Sequence, residues 1–364
     1  MVRTLLALLA ALAAIIAAPA FAQAKPHDAR AILGEIGRVT TPNGIDESKA
    51  ITIGGIKQWI TVRGRDKRNP ILLVLHGGPA APELFTRFIF EAPWTDFFTV
   101  VEWDQRGAGK TMAINDPARI APTITVDRMT DDAIELIAYL RRAYHRQKIF
   151  LLGHSWGTIL GMRVAERRPQ WLYAYIGAGQ IIDMRAGETI GYRWTLDKAR
   201  ADHNAEAVRE LQGIAPYPNP DGSIPLDKIM VERKWSLHYG ALGYGRDSYD
   251  YLDNAKWISP DYTDAEAKAI DAGSALSLPR LLPAMARTNF THVHTFDCPV
   301  IMFVGRHDYT TPPEPVVQWM AKLQAPAKRL VWFENSAHMM FTDEPGKVLV
   351  ALVEDALPLA RPKP

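Results

Sequence analysis

Ser155 stands in the pentapeptide Gly153-His154-Ser155-Trp156-Gly157, directly after the apolar run Ile149-Phe150-Leu151-Leu152. A serine between two glycines at a strand-to-helix corner sits in a sharp, strained turn that exposes its hydroxyl to a base. Side chains at the flanking positions would collide with the turn or the neighbouring strand, hence the glycines. The following helix, Thr158 to Arg167, points its positive end at the place where negative charge develops in acyl transfer. A serine hydroxyl is a poor nucleophile at neutral pH. It needs a base within hydrogen-bond reach and an acid to orient that base. Asp308, in Gly305-Arg306-His307-Asp308, and His338, in Glu334-Asn335-Ser336-Ala337-His338, are of the right types. Each falls just after an apolar strand run, Val300–Val304 and Leu330–Phe333, and the chain order serine, acid, histidine is one in which such a triad is threaded through a parallel sheet. Helix capping is the competing role for Asp308, because Thr310, Thr311 and Pro312 follow it. His307 points away from Asp308 in an extended chain, Asp297 precedes its strand, and Asp343 reads as the start of a helix. The run Ile71–Leu75 ends in His76-Gly77-Gly78-Pro79, whose glycines let backbone N–H groups approach a substrate oxygen. The N–H groups of Gly78 and Trp156 are the expected oxyanion donors, and His76 reads as a buried structural partner.

These residues need a frame. Ile51–Ile53 and Gln58–Val62 form a hairpin pattern around Gly54-Gly55. Ile71–Leu75, Phe98–Trp103 and Ile149–Leu152 are continuous apolar runs, as strands buried on both faces should be. Asp127–Tyr144 has helical periodicity. Strand and helix alternate to about residue 168 and again from Val300, the pattern of a mostly parallel sheet with helices on both faces. Residues 183–290 have no apolar strand run and a capping box at Thr263–Glu266. They read as a helical cap inserted in a core made of 23–182 and 291–364, lying over the C-terminal strand ends where such sheets bind ligands.

The chain has 364 residues, 48% hydrophobic and 23% charged, an ordinary globular composition. Its 42 basic and 40 acidic residues nearly cancel and form no block of like charge, so nucleic acid is not an expected partner. Arg3, the apolar Leu5–Ala17 and the small residues of Ala20-Phe21-Ala22 make residues 1–22 a secretory signal peptide, cut before Gln23. The protein is therefore expected in the periplasm or secreted. An uncleaved anchor is the alternative, but the run is short for a span of about 20 residues. No other stretch is long and apolar enough to cross a bilayer. The single cysteine, Cys298, reads as a buried, inert thiol. His292 and His294 alternate without an acidic partner at ligand spacing, so neither metal nor cofactor is expected.

His76–Pro79, Trp103-Asp104-Gln105-Arg106-Gly107-Ala108-Gly109, the turn Gly153–Gly157, Gly305–Asp308 and His338 together resemble the proline iminopeptidase-like α/β-hydrolases, over about residues 50–350. The resemblance implies the α/β-hydrolase fold and a serine hydrolase with a helical cap that acts on a small substrate, an ester or amide, through an acyl-enzyme; the signal peptide makes the expected enzyme an exported one. It is most like enzymes that release an N-terminal residue. Residue by residue, it makes Ser155 the nucleophile, Asp308 the orienting acid, His338 the base, and Gly78 and Trp156 the oxyanion donors. Asp104 and Arg106 match a family motif read as structural. The sequence departs at Ala80, where the family has glycine, and at His307, where it has an aromatic residue. The family holds the substrate amino group with cap glutamates. Glu188, Glu206, Glu210 and Glu232 match no such pattern and read as solvated helix residues. Cap aromatics Trp235, Tyr239, Tyr244, Tyr249, Tyr251, Trp257 and Tyr262 form either a pocket wall or lid packing. A carboxylesterase indifferent to the amino terminus is the alternative function. A binding protein on the same fold is a third, disfavoured because it has no use for all three triad groups.

Overall fold

The computed structural model describes residues 28–360, so the expected signal peptide at 1–22 lies outside the described residues. After helix α1 (Ala29–Ile36) come strands β1 (Ile45–Ile53), β2 (Ile56–Gly64), β3 (Ile71–Leu75), β4 (Thr99–Asp104), β5 (Ile149–His154), β6 (Leu172–Ala178), β7 (Val300–Gly305) and β8 (Lys328–Phe333). They form one sheet in the order β1-β2-β4-β3-β5-β6-β7-β8. The β1–β2 and β2–β4 pairs are antiparallel and all others parallel. The longer helices are α2 (Val126–Ala143), α3 (Trp156–Arg167), α4 (Met184–Ala201), α5 (Ala205–Gly213), α6 (Leu226–His238), α7 (Asp264–Met285), α8 (Pro313–Lys322) and α9 (Pro345–Ala351).

The strand sequences explain the layering. Every residue of β3 and β5 is buried, which requires apolar side chains at successive positions. Alternation then decides which face each one serves. Leu73, Leu75, Val101 and Leu151 pack with Leu136 of α2 and Ile159 of α3. Leu72, Val74, Phe150, Leu152 and Phe303 pack on the other face with Val348 of α9. Fully burying one such side chain stabilises the fold by about 1.5–3 kcal/mol.

One strand was not foreseen. β6 reads Leu-Tyr-Ala-Tyr-Ile-Gly-Ala, without the aliphatic run that marks its neighbours. Its small and aromatic residues fit the helix beside it. A Cβ on Gly161 of α3 would lie 2.4 Å from the Tyr175 ring, so the helix gives up a side chain where the strand carries a large one.

Between β6 and β7 the chain forms α4 to α7 and no strand. The Thr263–Glu266 capping box opens α7. Several contacts seat this insertion on the core. The Tyr262 hydroxyl donates to Asp104 at 2.7 Å, Arg87 donates to Asp261 at 2.7 Å, and Gly273 lies so close to Gly107 that a Cβ would come within 2.2 Å of its carbonyl oxygen.

Candidate active site

Ser155 joins β5 to α3 with φ 51° and ψ −120°, a conformation that costs a non-glycine residue about 1–3 kcal/mol. Its neighbours hold it there. Its N–H donates to the Ala178 carbonyl at 2.9 Å, and its own carbonyl accepts from the Thr158 N–H at 2.9 Å and the Thr158 hydroxyl at 2.6 Å. The two glycines are needed for space. A Cβ on Gly153 would lie 2.8 Å from the Gly157 oxygen, and one on Gly157 would lie 2.0 Å from the Leu75 oxygen.

Asp308 follows β7 and His338 follows β8, and both are buried. His338 Nδ1–H donates to Asp308 Oδ2 at 2.8 Å. Donors saturate the rest of the carboxylate. The N–H groups of Thr310 and Thr311 reach Oδ1 at 2.9 and 2.7 Å, and the Thr311 hydroxyl reaches Oδ2 at 2.8 Å. Asp308 therefore both caps its turn and holds an imidazole. With Nδ1 engaged, Nε2 is left to accept a proton. Ser155 and His338 line one cavity. No hydrogen bond joins them in this structure, and such contacts commonly tighten only with substrate. His307 stacks on Tyr244 with ring centroids 4.2 Å apart. Asp343 ends a short helical turn rather than starting one. Its Oδ2 accepts from the N–H of Ala337 at 3.1 Å and of Tyr244 at 3.2 Å, which ties the His338 loop to the insertion.

Gly78 has φ 107°, and a Cβ there would lie 2.6 Å from the Ala81 nitrogen. Neither its N–H nor that of Trp156 has a backbone acceptor among the described residues. For Trp156 this is inherent, since the first amides of a helix lack partners. His76 is fully buried, and burial lowers its pKa, so it is neutral. Its Nε2 accepts from the Gln105 N–H at 3.1 Å. The Gln105 side chain donates to the His76 carbonyl at 3.0 Å and accepts from the Trp156 indole N–H at 3.0 Å. Gln105 thus fastens the two loops that carry the expected oxyanion donors, a role its place in the Trp103–Gly109 motif did not disclose. Ala80, where the family has glycine, is left-handed at φ 63°, a conformation that costs alanine about 1–2 kcal/mol.

A cavity of about 320 Å³ opens at Ser155. Gly77, Gly78 and His338 line it from the core, and Met184, Ile229, Met230, Leu237 and Met285 line it from the insertion. Of the cap aromatics only Tyr249 reaches it, so the wall is mainly methionine, leucine and isoleucine. Two expectations of solvated glutamates are overturned. Glu188 and Glu232 are 3% and 0% exposed, and Glu188 lines the cavity. Arg233 donates to both carboxylates, and the Tyr217 hydroxyl donates to Glu188. The Thr195 hydroxyl donates to Glu232 at 3.2 Å. Burial raises the pKa of Glu232, although Arg233 pulls against it. Desolvation works against the Arg233 charge, but the two carboxylates more than offset it and raise its pKa. A signal was present for Glu188: with Met184, Gly191 and Thr195 it falls on the buried stripe of α4. Glu206 and Glu210 stay at the surface beside Lys234.

Asp104 and Arg106 hold the scaffold. Burial lifts the Asp104 pKa to about 7, against hydrogen bonds from Tyr262 and the Lys110 N–H. Arg106 pairs with buried Asp132 at 2.8 and 3.1 Å. Burial pushes the Cys298 thiol up to about 12, which leaves it unreactive. Among the described residues no cluster of three His, Cys, Asp or Glu side chains could hold a metal, and no helix is long and apolar enough to cross a membrane.

A mostly parallel sheet with a strained serine after its fifth strand, an Asp–His pair after the last two and a helical insertion between defines a hydrolase of the α/β class. The alpha/beta hydrolase fold family matches residues 70–345, and the chain belongs to it. It is 29% identical over 302 residues to a probable aminopeptidase, YbaC, of Bacillus subtilis (strain 168), covering 82% of this chain and 92% of that one. It is 30% identical over 174 residues to a proline iminopeptidase of Elizabethkingia meningoseptica, covering 46% and 53%. Among solved structures, a proline iminopeptidase-related protein of Thermus thermophilus shares the fold with a TM-score of 0.59 at 20% identity, over 86% of this chain and 98% of that one.

Proposed function

We propose that this protein is an aminopeptidase that releases an N-terminal residue, proline foremost, from small amides or short peptides through a Ser155 acyl-enzyme. The observation that carries the reading is Glu188, a buried carboxylate lining the same cavity as Ser155 and His338. A substrate ammonium has a charged partner there, and an apolar ring suits the aliphatic wall. The names of the relatives agree with it.

In the reaction, Ser155 Oγ attacks the scissile carbonyl while His338 Nε2 takes its proton. Asp308 holds the Nδ1–H and steadies the imidazolium. The N–H groups of Gly78 and Trp156 bind the oxyanion, each contributing roughly 10²–10³ in rate. Collapse expels the amine, protonated by His338. Water then attacks the acyl-enzyme, again with His338 as base, and frees the acid and Ser155.

Rates on proline p-nitroanilide, its N-acetyl derivative and p-nitrophenyl butyrate test the reading. Strong preference for the free amine, lost in Glu188→Gln, is the expected result. Equal rates on free and acetylated amides would favour a carboxylesterase, a reading supported by Arg233, which already engages Glu188. Failure of Ser155 to react with a fluorophosphonate would overturn both. Export through residues 1–22 is part of the proposal. A mature chain starting at Gln23 supports it, and a cytosolic chain retaining Met1 refutes it.

A further inference from the structure

Beside the expected triad lies a pair of titratable side chains that the reaction above does not use. His154, next to Ser155, and Glu83, just past the β3 loop, are 3% and 6% exposed. His154 Nδ1 is hydrogen-bonded to Glu83 Oε1. His154 Nε2 faces the backbone oxygen of His338 at 3.2 Å. The two imidazole rings lie 4.9 Å apart, tilted by 34°. Both nitrogens of His154 thus face acceptors, and both are satisfied only when each carries a proton. Burial works against that charge. The charge and hydrogen bond of Glu83, with the His338 carbonyl and Asp308 beyond it, outweigh burial and raise the His154 pKa.

We propose that His154 and Glu83 are a positioning dyad: an imidazolium–carboxylate pair that clamps the His338 backbone and holds a positive charge against its ring. The proposal rests on the Ser155–His338 reading above.

The groups packed around the pair leave its charges standing. His76, from the β3 loop, is made neutral by burial. Glu102 of β4 is raised well above the carboxylate range by burial and by the charges of Glu91 and Glu83, so it is a neutral acid. Tyr249, from the insertion, is raised by burial and by Glu83 and remains a phenol. Phe341 meets the His154 ring edge-on at 5.1 Å and brings no charge. Asp308 engages His338 at Nδ1. His338 therefore has an anion at one nitrogen and a cation against its ring. The His154 Nε2–H holds the backbone oxygen of His338, and the Glu83 carboxylate at Nδ1 keeps both ring nitrogens protonated.

The test uses the full chain and a fluorophosphonate, which reports Ser155 without the natural substrate. Ser155 Oγ bonds to phosphorus, fluoride leaves, and the serine proton passes to His338. Glu83→Gln should leave one His154 nitrogen bare at about pH 7, read in the ¹⁵N spectrum, and slow labelling by about tenfold, the worth of one hydrogen bond. His154→Phe keeps a ring, removes both N–H groups and should slow labelling at least as far. A Glu83→Gln protein that labels at the wild-type rate means packing alone and overturns the proposal, as does one that labels slowly with both His154 nitrogens still protonated. The ¹⁵N imidazole spectrum of the unmodified protein is an independent arm should a variant misfold. Both His154 nitrogens should be protonated at about pH 7, above the usual histidine midpoint. One bare nitrogen there overturns the dyad. A wild-type protein that never labels sinks the hydrolase reading, while the spectrum still judges the dyad.

Discussion

Asp308→Asn probes the acid–base pairing while preserving the shape of the site. The carboxylate accepts four hydrogen bonds, from the N–H groups of Thr310 and Thr311 on Oδ1 and from the Thr311 hydroxyl and His338 Nδ1 on Oδ2. An amide offers one accepting oxygen and one donating nitrogen. If its oxygen stays under the two backbone N–H groups, its nitrogen faces His338 Nδ1 and forces that atom to accept. The ring proton then sits on Nε2, where the base must be bare. If the amide turns over, the ring keeps the useful tautomer, but the NH₂ meets two N–H donors. Each donor left unsatisfied costs about 1–3 kcal/mol, so the turned form lies about 2–6 kcal/mol higher. Its population is then about one in 30 to one in 10⁴. The expected loss in kcat is on the order of 10²–10⁴, with little change in thermal midpoint because the Thr311 hydroxyl can rotate to accept. Turnover of p-nitrophenyl butyrate and proline p-nitroanilide, with a melting curve, measures both. A folded variant within tenfold of wild type refutes the dependence of His338 on Asp308.

Asp104 carries a pH signature of stability. Its folded pKa is raised to about 7 from 3.8, so between those values only the folded state holds the proton. Stability from this group is full below 3.8 and falls as pH rises through about 7, by roughly 4 kcal/mol. Denaturant midpoints of Asp104→Asn should lack that decline; a decline equal to wild type would contradict it. Arg233→Met leaves Glu188 and Glu232 buried without their cation. It should cost about 3–5 kcal/mol at alkaline pH and less at acid pH, where the carboxylates take up protons. A loss that ignores pH would show that the guanidinium matters only for packing.

The parts legible in the sequence are those fixed by local demands. Leu72–Leu75 and Phe150–Leu152 serve both faces of the sheet, so their burial is written in consecutive positions. Gly157 is dictated by the Leu75 carbonyl one strand away, and the motif carries that constraint in five letters. β6 was hidden because Gly161 and Tyr175 exchange bulk between helix and strand, which no single-strand pattern records. Glu188 and Glu232 looked solvated because their partners come from elsewhere. Arg233 lies 45 residues beyond Glu188 and Tyr217 lies 29 beyond it. A charge is buried only when such a partner arrives, and that is decided by how α4 packs on α6.

The same cluster separates the two enzymatic readings by its charge balance. Arg233 has one positive charge for two carboxylates. Burial raises the pKa of Glu232, so as pH falls it takes up a proton earlier than a solvated carboxylate does, which brings the cluster toward neutrality. An ammonium beside Glu188 adds positive charge and favours the ionised form of Glu232, which drives the proton off. Amine binding is then linked to proton release, and KM for proline p-nitroanilide should fall as pH rises from the carboxylate range toward neutrality. An N-acetyl substrate brings no charge and should show no such trend, and Glu232→Gln should abolish it for the free amine. The same KM profile for both substrates would leave Arg233, Glu188 and Glu232 as a tie between helices and remove the ground for amino-terminal recognition.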